Sequence, residues 1–446
     1  MSEKLYAMQL KLRRRRLSAI KKGFIGLIDV GSSKIVCLIL KFTPEIGNHK
    51  SADDKVDLPS NVAFRIIGTA TTRSRGVVFG EIDSMDEVER GIRTVVQASQ
   101  KMAGLLIEDV LVSFSGGDPR SYGIYAETKI VNREVSEFDI GNALTNCHIP
   151  DYGSEREIVH ALPVNFTLDD RTGLVDPRGL VGSELKVDMH MMTLERSVVR
   201  NVVHAIKKCS LGLSGISFAP YLSGLSSLTE DELEIGTGCI DMGGGTSGLA
   251  IFFRKQLIFG ATVRLGGVHI TSDIMKAFEI PFDMAERIKT LHGGLFSTGR
   301  DDRDLIEIND LNSDTEKERK KISRSELIGV IRPRVEEIFE ELRLQLDESG
   351  FDNLRSRKIV LTGGVSRLPG LFDLATKILD CPVRIGKPIR LQGLPIAANG
   401  ADFAAAVGLA LNAGHPQDEC WDFKGSKNSY GMRKINGWLR WISENW

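Results

Sequence analysis

The sequence predicts an α/β protein of two related lobes around a cleft, with a small α+β domain inserted into the first lobe. Three observations predict it. A strand, an aspartate and a small-residue turn occur twice in register, as Gly26-Leu-Ile-Asp29-Val-Gly31-Ser32-Ser33-Lys34 and as Gly238-Cys-Ile-Asp241-Met-Gly243-Gly244-Gly245-Thr246. Similarity at domain-sized spacing indicates duplicated halves, not a solenoid of short repeats. A third strand runs into glycines at Lys358-Ile-Val-Leu-Thr-Gly363-Gly364-Val365, and residues 85–165 carry strand and helix signals of their own.

The paired turns set the chemistry. Glycine lets a backbone bend sharply beside a ligand, and successive N–H groups then cradle anionic oxygens. An aspartate at the end of the incoming strand suits Mg²⁺, which prefers carboxylate, water and phosphate oxygens. Two such hairpins facing each other make a nucleoside triphosphate site. Gly243, Gly245 and Gly248 also satisfy GxGxxG, but that fingerprint requires a helix immediately afterwards. Here Leu249-Ala-Ile-Phe-Phe, a polar Lys255-Gln256 and Leu257-Ile-Phe read as strand, turn and strand, and Lys34-Ile-Val-Cys-Leu-Ile-Leu behaves alike. A dinucleotide fold fits neither copy.

At 446 residues the chain holds more than one domain. A net charge of −1 argues against nucleic acid as a partner held by global electrostatics. The six cysteines are scattered without a CxxC pair, which points to buried thiols, not to zinc or a disulfide framework. No apolar run approaches the ~18 residues of a membrane span. GxSxG, HExxH and GxxxxGK[ST] are all absent, so the corresponding hydrolase, zinc-peptidase and P-loop classes fit poorly.

The elements follow in order. Residues 1–22 carry Arg13 to Arg16 and four lysines against Glu3, and read as a solvated basic tail, with weak attachment to anionic lipid as the alternative. Strands are expected at 24–30, 34–41 and 62–70, the last two separated by a polar insert from Asn48 to Ser60. Ser84 caps a helix with Val88, Ile92, Val95, Val96 and Met102 on its apolar face. A strand from Asp109 ends at Gly116, and Ser136 with Asp139 opens a second helix. The first lobe is expected at 23–84 and 166–218, with a strand at Val187 to Leu194 and a helix at Arg196 to Cys209.

The second lobe is expected at 219–267 and 341–412, around a subdomain at 268–340. Helices are expected from Thr271 and from Pro281, the latter closed by Gly293. Residues 297–326, dense in charge, read as a solvated loop. Ser323 and Glu326 form a capping box for a long helix kinked at Pro333. Asn399 to Asn412 reads as a tightly packed helix, and 413–430 as a flexible linker. Residues 431–446 then place Ile435, Trp438, Leu439, Ile442 and Trp446 on one stripe, with Trp441 nearby, as an interfacial membrane helix.

These glycine turns and this duplication resemble the actin-like ATPase superfamily, which includes actin, MreB, heat-shock chaperone ATPases and sugar kinases. Within it, the segments Gly80-Glu-Ile-Asp83, His160-Ala-Leu-Pro163, Phe218-Ala-Pro220, Ala285-Glu-Arg-Ile-Lys289, Leu361-Thr-Gly-Gly364 and Leu368-Pro-Gly370, with the terminal amphipathic helix, resemble the bacterial FtsA cell-division family. The resemblance spans 23–412 and 431–446. It implies RNase H-like lobes that bind ATP and Mg²⁺. Asp29 and Asp241 would hold the metal, and Gly31, Ser32, Ser33, Lys34, Gly243, Gly244, Gly245, Thr246 and Ser247 would grip phosphates. Glu286 and Lys289 would reach ribose and base, and Gly363, Gly364 and Val365 would back the adenosine. It also implies a self-polymerising adaptor that ties the FtsZ C-terminal peptide to the cytoplasmic face of the inner membrane at the division site, among other division proteins, with Arg332 and Arg334 meeting the peptide's acids.

One departure bears on turnover. Relatives such as MreB place a glutamate near the first crossover proline to position water, whereas Phe218 and Ala219 precede Pro220 here. Positioning the nucleophile is a main protein contribution to phosphoryl transfer, so ATP binding with slow or negligible hydrolysis is expected. The alternatives are a sugar-kinase-like phosphotransferase, which lacks an evident base here, and a pilus-assembly ATP-binding relative.

Overall fold

Two five-stranded sheets repeat one topology. The computed structural model describes residues 3–43, 63–130, 134–147, 151–308, 320–354 and 356–423. Helix α1 (Glu3–Lys22) precedes the antiparallel strands β1 (Phe24–Val30), β2 (Lys34–Thr43) and β3 (Ala63–Arg73). A short hairpin, β4 (Val77–Val78) with β5 (Glu81–Ile82), leads into α2 (Met85–Ala103), and β6 (Asp109–Phe114) pairs parallel with β1. Strand β7 (Arg120–Lys129), helix α3 (Glu137–Thr145) and strands β8 (Arg156–Leu168), β9 (Arg171–Leu174) and β10 (Glu184–Glu195) build a separate sheet ordered β7-β10-β8-β9. Helix α4 (Arg196–Lys208) and β11 (Gly212–Phe218) then complete the first lobe, ordered β11-β6-β1-β2-β3.

Helices α5 (Ala219–Ser227) and α6 (Glu230–Ile235) lead to the second meander, β12 (Thr237–Met242), β13 (Ser247–Phe253) and β14 (Gln256–Val263). Next come α7 (Gly267–Phe278), α8 (Phe282–His292), the hairpin β15 (Leu305–Ile308) and β16 (Lys320–Ser323), and α9 (Arg324–Glu348). Strand β17 (Lys358–Thr362), α10 (Leu371–Leu379), β18 (Val383–Ile385) and α11 (Ala404–Gly414) close the lobe, whose sheet order is β14-β13-β12-β17-β18. In both lobes three antiparallel strands are extended by two parallel ones, so β12 answers β1 and β17 answers β6.

The crossing helices join the lobes. Tyr221 and Leu222 of α5 and Val407, Leu409 and Ala410 of α11 share one core with Leu27 and Leu38 of the first lobe and Phe252 of the second. Gly408 permits this contact, since a Cβ there would overlap the Leu222 carbonyl oxygen. Elsewhere the apolar periodicities land as expected. Val88, Ile92, Val95 and Val96 are buried on α2, and the eight apolar residues from Leu327 to Leu346 are buried on α9. Ser136 with Asp139 and Ser323 with Glu326 make both bonds of their capping boxes. Ser84 occupies its cap position without a side-chain cap bond, and Met102 turns outward at the end of α2.

Several expectations need correction. The expected inserted block at 85–165 takes in α2 and β6, which belong to the first lobe. It leaves out β9 and β10, which belong to the inserted sheet, although they fall in the range 166–218 given to the lobe. A buried apolar strand such as Asp109–Phe114 does not announce which sheet it joins. The boundary at 340 falls inside α9, whose helix runs through Pro333. The basic tail is a docked helix, with Leu12, Leu17 and Ala19 buried. The charged stretch 297–326 includes a β-hairpin and a buried Asp301 paired with Arg324 at 2.7 Å. Helix α11 starts five residues later than expected, after two 3-10 turns. Residues 413–423 of the expected linker are packed: Cys420 and Phe423 fill the inserted domain's core, and Glu419 accepts from Ala161 N–H at 2.9 Å. The insert Asn48–Ser60 and the terminal residues 431–446, with Ile435, Trp438, Leu439, Trp441, Ile442 and Trp446, lie outside the described residues.

Candidate functional site: facing hairpins between the lobes

Each meander turns on a four-residue loop closed in the same way. Gly31 N–H donates to the Lys34 carbonyl at 3.1 Å, and Gly243 N–H donates to the Thr246 carbonyl at 2.8 Å. The two tips meet. A Cβ on Gly244 would lie 2.7 Å from Ser33 Oγ, and one on Gly245 would overlap Ser32 Oγ. Backbone amides can approach this closely only where no side chain intervenes. Ser32 Oγ itself accepts from Gly80 N–H at 2.9 Å, and Ser115 and Thr246 share a hydroxyl contact of 3.1 Å between the lobes.

Asp29 and Asp241 line the cleft behind these tips, together with Gly31 to Lys34, Gly243 to Thr246, Gly363, Gly364, Ala219 and Pro220. Each carboxylate is fixed by one hydroxyl, Ser113 Oγ donating to Asp29 Oδ1 and Ser223 Oγ to Asp241 Oδ2, both at 2.5 Å. Burial raises the Asp29 carboxyl, against the Ser113 bond and the charge of Lys34. Burial pushes Asp241 to about 6; the Ser223 bond opposes that, and the neighbouring charge of Asp29 adds to it. Two desolvated carboxylates, one of which raises the other, are stabilised by a shared cation. The residues present therefore fit Mg²⁺.

Lys34 is the cation on the spot. Its Nζ lies 2.6 Å from Asp402 Oδ2 and 3.4 Å from the centroid of the Phe403 ring. Asp402 also meets Arg367 Nη2 at 2.8 Å. Sequence reading missed Asp402, Arg367, Ser113 and Ser223. An acid in the otherwise apolar, small-residue run from Asn399 was the available signal; the serines carry none, because only the folded sheets bring them to the aspartates.

Other expected site residues sit beside the cleft or turn from it. Ser247 is buried and its hydroxyl donates to the Leu265 carbonyl at 2.8 Å, so the side chain is committed to the turn. Lys289 is not a solvated helix lysine. Its Nζ donates to Glu286 Oε2 at 2.6 Å, Thr271 Oγ1 at 2.7 Å and the Gly267 carbonyl at 3.0 Å, and burial holds its ammonium below the usual range. Gly267 N–H in turn donates to the Gly243 carbonyl at 3.0 Å, and Val365 packs over Gly267. Glu286, Lys289 and Val365 thus form a wall adjoining the second hairpin. Arg334 is closed onto Asp273 at 2.6 and 3.2 Å, while Arg332 lies over Phe296 and pairs with Glu336 at 2.8 Å.

Duplicated meanders, parallel extensions, crossing helices and facing Asp-Gly hairpins define an actin-like fold. Solved structures share it: the type IV pilus PilM–PilN complex has a TM-score of 0.58 at 15% identity over 88% of this chain and 99% of that one. MreB5 of Spiroplasma citri bound to ADP has a TM-score of 0.50 at 15% identity over 87% and 95%. The family description "Cell division protein FtsA" matches residues 238–408, and "SHS2 domain inserted in FTSA" matches 116–193, which coincides with the separate four-stranded sheet. The chain is 36% identical to cell division protein FtsA of Agrobacterium fabrum over 90% of this chain and 89% of that protein. It is 29% identical to FtsA of Escherichia coli K12 over 94% and 98%. The chain belongs to the FtsA family of cell-division proteins.

Proposed function

We propose that this chain binds Mg²⁺–ATP between its lobes, hydrolyses it slowly or negligibly, polymerises, and anchors FtsZ filaments to the cytoplasmic face of the inner membrane at the division site. The observation that carries the nucleotide reading is the pair of raised carboxylates, Asp29 and Asp241, behind two touching glycine tips. Bound Mg²⁺ would neutralise the phosphate charge. The backbone amides at Gly31–Lys34 and Gly243–Thr246 would hold the phosphates, Gly363 and Gly364 would back the adenosine, and Glu286 and Lys289 would support it from the adjoining wall. Lys34 would exchange Asp402 for phosphate. Slow turnover follows from the residues at the crossover: Ala219 and Pro220 line the cleft there, and neither orients water.

The adaptor reading rests on family membership together with the pattern of residues 431–446. A lone helix of that length is marginal in water, and its few apolar side chains, at ~1.5–3 kcal/mol each before ordering costs, favour reversible attachment. A row of tails on a polymer then binds firmly through avidity. Arg332 and Arg334 would receive the acidic FtsZ peptide, Arg334 only after releasing Asp273. Other division proteins would join through the same assembly. The test is to mix purified protein with anionic vesicles, with and without ATP, and to image for filaments. ATP-dependent filaments on vesicles support the reading; protein that stays monomeric and unattached in both conditions refutes it.

A further inference from the structure

Helix α1 docks by one face and presents another to solvent. Leu12, Leu17 and Ala19 are buried, and Gln9 Nε2 donates to the Ile158 carbonyl at 3.4 Å. Residues two apart on a helix point about 200° apart, so Arg13 and Arg15 leave opposite flanks. On the Arg13 flank lies the C-terminal segment: Arg13 Nε meets Asp422 Oδ1 at 2.9 Å, one residue before the description ends at Phe423. On the Arg15 flank lie Asp109 and Lys207. Burial, with the positive charges of Lys11 and Arg15, holds the Lys207 ammonium below its usual range. Between the flanks, Lys11, Arg14, Ser18 and Lys21 are exposed at i, i+3, i+7 and i+10, one continuous stripe. Lys22, at the end of the helix, is paired with Glu108 at 2.6 Å. The exposed Leu106 lies two residues before that acid.

We propose that this basic stripe of α1, with Lys207, is a second membrane contact that lies on an anionic lipid surface beside the departure point of the C-terminal segment. Two features favour lipid over other polyanions. The stripe is carried on a docked helix whose flank holds Asp422, one residue before the description ends at Phe423, so only a short stretch of sequence separates the stripe from the tryptophan-rich pattern at 431–446. The stripe is also a local concentration of exposed basic side chains on a chain whose net charge is only −1. The inference rests on the reading of residues 431–446 as a lipid anchor for the identity of the surface. An amphipathic anchor of marginal strength gains most from such a partner, because each Lys or Arg near an anionic bilayer multiplies partitioning roughly fivefold.

The test uses the full chain, sedimented with phosphatidylcholine vesicles and with vesicles that also contain phosphatidylglycerol. The triple variant Lys11→Glu/Arg14→Glu/Lys21→Glu is expected to lose about a hundredfold or more of its partitioning onto the anionic vesicles. It should lose nothing on the neutral ones, and the difference should shrink in high salt. Lys11→Arg/Lys21→Arg should bind as the parent does. If the reversal lowers the melting temperature, Lys11→Gln/Arg14→Gln/Lys21→Gln should show a smaller loss with the same lipid dependence. Unchanged binding to anionic vesicles, or an equal loss on both vesicle types, overturns the proposal. So does a reversal that abolishes retention on duplex DNA while sparing vesicles. Trp438→Glu/Trp441→Glu is the separate control: if it leaves vesicle binding intact, the tail reading fails, while the stripe is still judged by its own comparison.

Discussion

Lys34 Nζ stands 2.6 Å from Asp402 Oδ2, joining the first hairpin to the turn that opens α11. In this arrangement the carboxylate occupies the cation that a phosphate would need. Asp402→Asn is expected to release Lys34 and remove a negative charge from the cleft. ATP affinity measured by calorimetry should then rise, by about 1 kcal/mol for a partly exposed pair. Lys34→Ala should lower it, and an Asp402→Asn protein with weakened ATP binding would show that Asp402 supports the ligand directly.

The aspartate pair behaves oppositely in the presence and absence of its cation. Burial and the charge of Asp29 raise Asp241 to about 6, so its ionised form is disfavoured when no cation is bound. Asp241→Asn is expected to raise the melting temperature of ligand-free protein by about one degree, for roughly 1 kcal/mol. It should also abolish the further increase that Mg²⁺–ATP gives the parent. Chelation of Mg²⁺ should erase the same increase in the parent. Scanning calorimetry reads all three.

Glu232 is a structural clamp with a pH signature. Burial alone would raise its carboxyl; bonds from Arg384, Lys358 and the Thr229 N–H hold it down at about 2 instead. Lys358 Nζ donates to Oε1 at 2.6 Å and Arg384 Nε at 2.7 Å. A carboxyl depressed on folding stabilises above its unfolded value, ordinarily 4.5, and that contribution is lost as pH falls from about 4.5 to about 2. Glu232→Gln should therefore cost about 1–2 kcal/mol at neutral pH, allowing for solvent screening. The difference from the parent should vanish in acid, as read by urea denaturation along a pH series.

Gly408 tests the seam between the crossing helices. A Cβ would overlap the Leu222 carbonyl oxygen, so the helices must separate to admit it. Gly408→Ala is expected to destabilise by about 1–3 kcal/mol despite alanine's better helix propensity. A urea midpoint at or above that of the parent would contradict the packing described.

Much of this was legible in the sequence, because the information was local. The paired Asp-Gly turns, the apolar stripes of α2 and α9, and the capping boxes at Ser136 and Ser323 each depend on residues a few positions apart. What was missed depends on partners far along the chain. Helix α1 reads as a charged tail because its apolar Leu12, Leu17 and Ala19 are outnumbered by arginine and lysine; only the groove beside β11 and the acid of Asp422 make it a docked element. The stretch at 413–423 looks like a linker until Cys420 and Phe423 find the inserted domain's core. Strand β6 went to the wrong domain because nothing within six residues states its neighbour. The Ser247 hydroxyl bond to the Leu265 carbonyl likewise has no signature within the glycine run. The Lys34–Asp402 bond spans most of the chain and has no sequence signature.

The most direct test is equilibrium titration of ATP into the purified chain, with Mg²⁺ and then with a chelator, repeated for Asp29→Ala and Asp241→Ala. The facing-hairpin account predicts one site per chain that is tight only with Mg²⁺ and is weakened at least tenfold by either substitution. Binding that is absent in the parent, or equally tight without the metal and in both variants, would contradict it.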